Sequence, residues 1–199
     1  MVSPYRSVST KELKYGPIVK DTTARLYVVP LAPPLVVQTT PIALETSLAD
    51  PEVPFVYIRP EGTLETFFRD TETAVGDACI ANKNEWFSIA KTLEDDVLRR
   101  GFKSFFMDNG LKLKVPADVA CFDAAKKPMG REDLPAGTVV RLVLELSRVC
   151  FGRHEYGAAW RVVQVQAVPT TCLIMDDAPL DDGPGPDDSG SDSDINEFL

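Results

Sequence analysis

Aromatic and cationic side chains two residues apart recur along this chain: Arg25 with Tyr27, Phe55 and Tyr57 with Arg59, and Lys103 with Phe105. In extended backbone, residues at that spacing share one face of a strand. An aromatic ring stacks on a nucleobase at about 1–3 kcal/mol per base, and a neighbouring cation meets the phosphate beside it. The mixture suits a single-stranded nucleic acid, whose bases are free to lie on rings. Trp160, on a run with Gln164 and Gln166, adds a fifth ring, so the stacking candidates are Tyr27, Phe55, Tyr57, Phe105 and Trp160. The phosphate candidates are Arg25, Arg59, Lys103, Lys112, Lys114, Arg141 and Arg153. For each ring the alternative is core packing, since Phe, Tyr and Trp dominate interiors. For each cation it is ordinary solubility.

Other chemistries find little to work with. Glu94, Asp95 and Asp96 adjoin one another on a helical pattern where a solvated face accounts for them, and no nucleophile, base and acid converge. No catalytic residue is assigned, and the chain is not expected to be an enzyme. Cys79, Cys121, Cys150 and Cys172 are far apart with no Cys-x-x-Cys pair, and His154 is the lone imidazole, so neither a zinc site nor any other metal or cofactor is expected. Free thiols in a reducing compartment are the reading that remains.

The elements that must position the rings are mostly short strands. Residues 24–29 alternate, with Leu26 and Val28 on one side; Pro30, Pro33 and Pro34 then interrupt before a second extended segment at 35–39. Residues 53–59 place Val56 and Ile58 opposite Phe55, Tyr57 and Arg59, and either face can be the core. Runs at 102–107 and 111–115 flank Asp108-Asn109-Gly110, a hairpin signal. Val140, Leu142, Leu144 and Leu146 face together across a strand at 139–146, and a final strand covers 160–168. The Gly-, Arg- and aromatic-rich stretch 151–159 between them is either a loop that closes over a ligand or a plain hairpin connection. The predicted helix spans about 84–100, where Trp86, Ala90, Leu93 and Val97 recur at helical spacing between an Asn82–Glu85 cap pair and Gly101. Trp86 is assigned to the core. Mainly β, with a small barrel and one helix, is the fold class that fits.

Charge divides the chain in two. Residues 176–199 carry nine of the 30 acidic side chains and no basic one, so the remaining 21 acids balance the 21 Lys and Arg and the net charge of −9 belongs to the tail. A segment of Asp, Gly, Pro and Ser cannot bury a core and is expected to be disordered. The expected organisation is an N-terminal arm at 1–22, a binding domain at 23–175 and the acidic tail at 176–199. The N-terminus lacks a signal-peptide pattern, and no run approaches the roughly 20 apolar residues that span a bilayer, so an intracellular protein without membrane contact is expected.

Two stretches resemble a known family. Leu-Pro-Ala-Gly-Thr-Val-Val-Arg-Leu-Val-Leu at 134–144, followed by Gly-Ala-Ala-Trp-Arg-Val-Val-Gln-Val at 157–165, is similar to the closing strands of OB-fold single-stranded DNA-binding proteins of bacteriophages and large DNA viruses. The tip Asp192-Ser193-Asp194-Ile195-Asn196-Glu197-Phe198-Leu199 is similar to the acidic, Phe-bearing end by which such proteins engage replication partners, although here the ring is penultimate. The resemblance implies an OB-fold-like barrel that coats single-stranded DNA in replication, recombination or repair. It also implies a tail whose Asp192, Asp194, Ile195, Glu197, Phe198 and Leu199 bind a polymerase, helicase or primase. Homodimer formation is compatible with it, as is a location in a host nucleus, cytoplasm or viral replication site. Two rivals stay open: an acidic-tailed structural or interaction protein, such as a virion component or a chaperone of basic proteins, and an OB protein that binds single-stranded RNA.

Overall fold

The computed structural model describes residues 2–50, 52–87, 94–152 and 155–169 of the 199-residue chain. The tail at 176–199 and Arg153 therefore lie outside the described residues. Residues 1–169 form one compact unit, mainly β with one long helix.

In chain order the elements are β1 (Ser3–Pro4), β2 (Val19–Asp21), β3 (Leu26–Gln38), β4 (Ile42–Ala43), β5 (Phe55–Ile58), α1 (Gly62–Ala81), α2 (Lys83–Trp86), α3 (Asp95–Gly101), β6 (Phe106–Met107), β7 (Gly110–Lys114), β8 (Ala120–Phe122), β9 (Pro128–Met129), β10 (Val139–Phe151), β11 (Tyr156–Ala158) and β12 (Trp160–Ala167). The main sheet runs β1-β3-β10-β12-β7-β5, with the β12–β7 pair parallel. The sheet curls without closing through a full ladder. The residues just past β4, which pairs with β10, meet β5 through a bridge between Leu44 and Ile58 and a hydrogen bond from the Glu45 amide to the Tyr57 carbonyl at 2.9 Å. The result is an OB-like architecture.

Alternation builds the inner face. Val140, Leu142, Leu144 and Leu146 of β10, Leu111 and Leu113 of β7, and Val56 and Ile58 of β5 are all fully buried. Burial of each such side chain stabilises the fold by about 1.5–3 kcal/mol. Helix α1 covers this core with Leu64, Phe67, Phe68, Thr71, Val75 and Cys79, one stripe of a 3.6-residue period. Among the described residues no helix is long and apolar enough to cross a membrane.

Several expectations are corrected. The long helix is α1, not 84–100; that stretch holds α2 and α3, with 88–93 outside the described residues. Asn82 does not cap a new helix with its side chain. Its Nδ2 donates to the Ala78 carbonyl at 2.8 Å and finishes α1. Trp86 is buried as expected, but Val97 is exposed, and on α3 it is Leu98 that is buried. The prolines do not split β3: its ladder with β10 skips from Leu35 opposite Leu146 to Pro30 opposite Arg148, so the stretch between them owes β10 no N–H. The N-terminal segment fills that gap, the Ala32 amide donating to Lys14 and the Gly16 amide to Pro30. Residues expected as an arm are thus woven in: β1 and β2 both pair with β3, and Tyr5 is buried with its hydroxyl 2.8 Å from that of Thr63. Of the two readings of 151–159, the pairing of β11 antiparallel to the end of β10 fits the hairpin connection.

The β6–β7 turn yields a prediction. Gly110 has φ +108° and faces β5 so closely that an added Cβ would run into the Ile58 carbonyl oxygen. Gly137 also has positive φ (+85°) but open space around it. Gly137→Ala therefore incurs backbone strain alone, about 1–3 kcal/mol, and Gly110→Ala adds a collision with main chain. Urea denaturation is expected to show Gly110→Ala as the more destabilised variant; equal midpoints would contradict the packing described.

Candidate nucleic-acid interface

Strand register sets which side chains share the outer face. Because Val56, Ile58, Leu111 and Leu113 point into the core, their neighbours Phe55, Tyr57, Lys112 and Lys114 must point outward. Phe55 lies directly opposite Lys114, and Tyr57 opposite Lys112. Residues paired across strands lie on the same side, so the rows extend over the sheet. One row reads Val36, Glu145, Arg161, Lys114, Phe55 across β3, β10, β12, β7 and β5. A second reads Gln38, Val143, Gln164, Ala120, and a third Arg141, Gln166, Phe122. Half-buried rings at one end and cations through the middle give a continuous strip with the stacking and charge-tracking elements that a single strand requires.

The charges on this face are not equally free. Arg161 reaches Glu145 at 3.3 Å, and Arg59, just past β5, reaches Glu45 at 3.3 Å. Lys112 places its Nζ 3.9 Å from the centre of the Phe55 ring. Lys114 and Arg141 are exposed and make no ion pair among the described residues. Arg161, Gln38 and Phe122 belong to the face but were not among the residues singled out by sequence.

The remaining candidates separate from it. Trp160 is fully buried, edge-on to Phe68 with ring centroids 5.3 Å apart and tilted on Phe67 at 6.1 Å, so it joins β12 to α1 and offers no ring to a ligand. Phe105 is 3% exposed and packs near Phe102, which likewise removes it from the stacking set. Tyr27 is exposed, but its ladder partner is the core residue Phe151, which puts it on the other side of the sheet at the far end of β3. Lys103 is tied to Glu155 at 2.8 Å. Arg25 lies in the turn before β3 with φ +55°.

Trp160 is misplaced by sequence because of one extra residue. Leu144 pairs with Val162 and Val143 with Gln164, so Val163 is a bulge. Parity flips there: Trp160 and Val162 point inward, while Gln164 and Gln166 point out.

Nucleophilic chemistry has no foothold in the described thiols. Burial pushes Cys79 up to about 12 and raises Cys121 and Cys150, keeping each protonated and weakly reactive near neutrality. Burial, with a smaller contribution from Cys79, likewise pushes Tyr156 up to about 12; its hydroxyl donates to the Leu98 carbonyl at 2.8 Å. Among the described residues no three His, Cys, Asp or Glu side chains come together as a metal site.

The chain belongs to the family of unknown function DUF5871, which it matches over residues 64–181. No curated protein matches it in sequence. Among solved structures it is similar to the single-stranded DNA-binding protein from bacteriophage Enc34, at 10% identity and a TM-score of 0.45, covering 86% of this chain and 94% of that one. The C-terminally truncated form of that protein gives 8% and 0.43, covering 81% and 98%. Its complex with single-stranded DNA gives 9% and 0.44, covering 80% and 96%.

Proposed function

We propose that this chain is a non-catalytic protein that coats single-stranded DNA during replication, recombination or repair. What supports this reading is the outer row Arg161, Lys114, Phe55 with the adjoining Lys112–Tyr57 pair: cations and rings on one strip rather than scattered. The distant likeness to the phage proteins is not needed for it. Bases stack on Phe55 and Tyr57 while Lys112, Lys114, Arg141 and Arg161 take phosphates. The acidic tail at 176–199 competes for the same cations and, once displaced, offers Ile195, Phe198 and Leu199 to a replication partner.

The deciding experiment is a fluorescence titration with an oligothymidine at low salt, using full-length protein and protein truncated after Met175. The truncated form is expected to bind more tightly, with affinity falling by about 0.7 log unit per log unit of salt for each phosphate neutralised. No binding by either form at sub-millimolar protein would end the proposal; capture of basic proteins through the tail would instead favour an interaction protein. A matched RNA strand run in competition decides which sugar is preferred.

Glu145 is the one acid in the cationic row. Glu145→Gln releases Arg161 from its pair and is expected to tighten oligothymidine binding up to about fivefold, with a salt slope steeper by about 0.7. Titrations of the variant at several salt concentrations check both numbers together.

A further inference from the structure

Lys112 stands apart from the other cations of the face because its partner is a ring. Its cross-strand neighbour is Tyr57, yet its ammonium reaches diagonally to Phe55 and hangs 3.9 Å from the ring centre. That is well inside the roughly 6 Å over which a cation is held by an aromatic face. Lys114, directly opposite Phe55, has neither a ring contact nor an ion pair among the described residues. The two lysines of β7 are therefore in different states, although their spacing makes them look equivalent.

We infer that Lys112 occupies the base position of Phe55 in the free protein, and that stacking there requires the ammonium to be handed to a phosphate. The inference rests on the single-strand reading above and deepens it. A base and an ammonium cannot lie on the same ring face, since a ring offset-stacked with its centroid about 4.5–7 Å away lays its own atoms over the face where the ammonium sits 3.9 Å from the centre. Displacing the ammonium into solvent forfeits the ring contact; displacing it onto the phosphate of the incoming nucleotide replaces that contact with a charge-assisted one. Phe55 is thus opened by a ligand that brings a ring and an anion together. Uncharged aromatic ligands, including a strand with a neutral backbone, meet an occupied site. Lys112 is thus a specificity-determining residue as well as a phosphate contact.

The probes are oligothymidine with a phosphodiester backbone and the same sequence with a neutral methylphosphonate backbone, titrated into wild-type protein and Lys112→Met. Methionine keeps an unbranched side chain on the strand and removes the charge. Lys112→Met is expected to bind the neutral strand about two- to fivefold more tightly than wild type. It should bind the phosphodiester strand more weakly, with a salt slope smaller by about 0.7. A neutral strand bound no better by Lys112→Met than by wild type would overturn the inference. In the free protein, the ε-methylene protons of Lys112 should be shifted upfield by the ring and return to ordinary values in Phe55→Leu; their absence from the upfield region would also overturn it. Failure of wild-type protein to bind the phosphodiester strand, with the upfield shift present, would instead locate the error in the single-strand reading.

Discussion

Replacing Trp160 with alanine is expected to lower the unfolding free energy by about 3–5 kcal/mol, a large share of the roughly 5–15 kcal/mol that a domain has. The indole is fully buried between β12 and α1, against Phe68 and Phe67, and its removal leaves a cavity that rigid neighbours on two elements cannot close. Its Nε1 has no hydrogen-bond partner among the described residues, so part of the indole's burial is unfavourable. Trp160→Phe should for that reason be much milder than a loss of volume alone suggests, because it removes the orphaned N–H while keeping a ring for Phe68 to meet edge-on. Urea denaturation of the two variants separates these effects. A fully stable Trp160→Ala protein with impaired oligonucleotide binding would mean that the ring belongs on the outer face after all.

How far the fold can be read from the chain depends on where local pattern and tertiary context agree. Strand β10 is legible over 139–146 because its alternation is undisturbed, so Arg141 and Glu145 could be placed outward from parity alone. Strand β12 fails the same rule at Val163, since a bulge leaves no mark in the alternation until its partner's register is known. Helix α1 hides because its buried stripe contains Thr71, whose hydroxyl donates to the Phe67 carbonyl at 2.8 Å and so enters the core satisfied. Read as polar, that threonine interrupts an otherwise regular 64, 67, 68, 75, 79 pattern. The prolines of β3 mislead in the opposite direction: they exclude ladder hydrogen bonds, but a bulge needs none from them. The aromatic–cation pairs on β5 were legible as pairs. Which pairs reach a common face was not, because that depends on β7, β12 and β10 being neighbours, a property of topology and not of spacing.

That common face carries the larger functional prediction. Phe55→Ala and Tyr57→Ala are each expected to weaken oligothymidine binding by about 1–3 kcal/mol, roughly five- to 150-fold. The double variant should lose somewhat less than the sum, since the rings sit two residues apart and one strand can shift to use whichever remains. Phe55→Ala carries an opposing contribution, because it also releases Lys112 from the ring and gives phosphates a freer cation. Tyr57→Ala has no such compensation and is therefore the better measure of stacking. Tyr27→Ala supplies the control: its ring is exposed, but on the opposite side of the sheet, and its removal should leave affinity unchanged within twofold or so if only the Phe55–Tyr57 strip binds. Because Phe55 and Tyr57 are outside the buried core, thermal melts of their variants should stay close to wild type, which separates lost binding from lost folding. Losses of affinity equal at Tyr27 and Tyr57 would argue for a strand wrapped around the edge of the sheet, and no loss at any of the three would remove base stacking from this face.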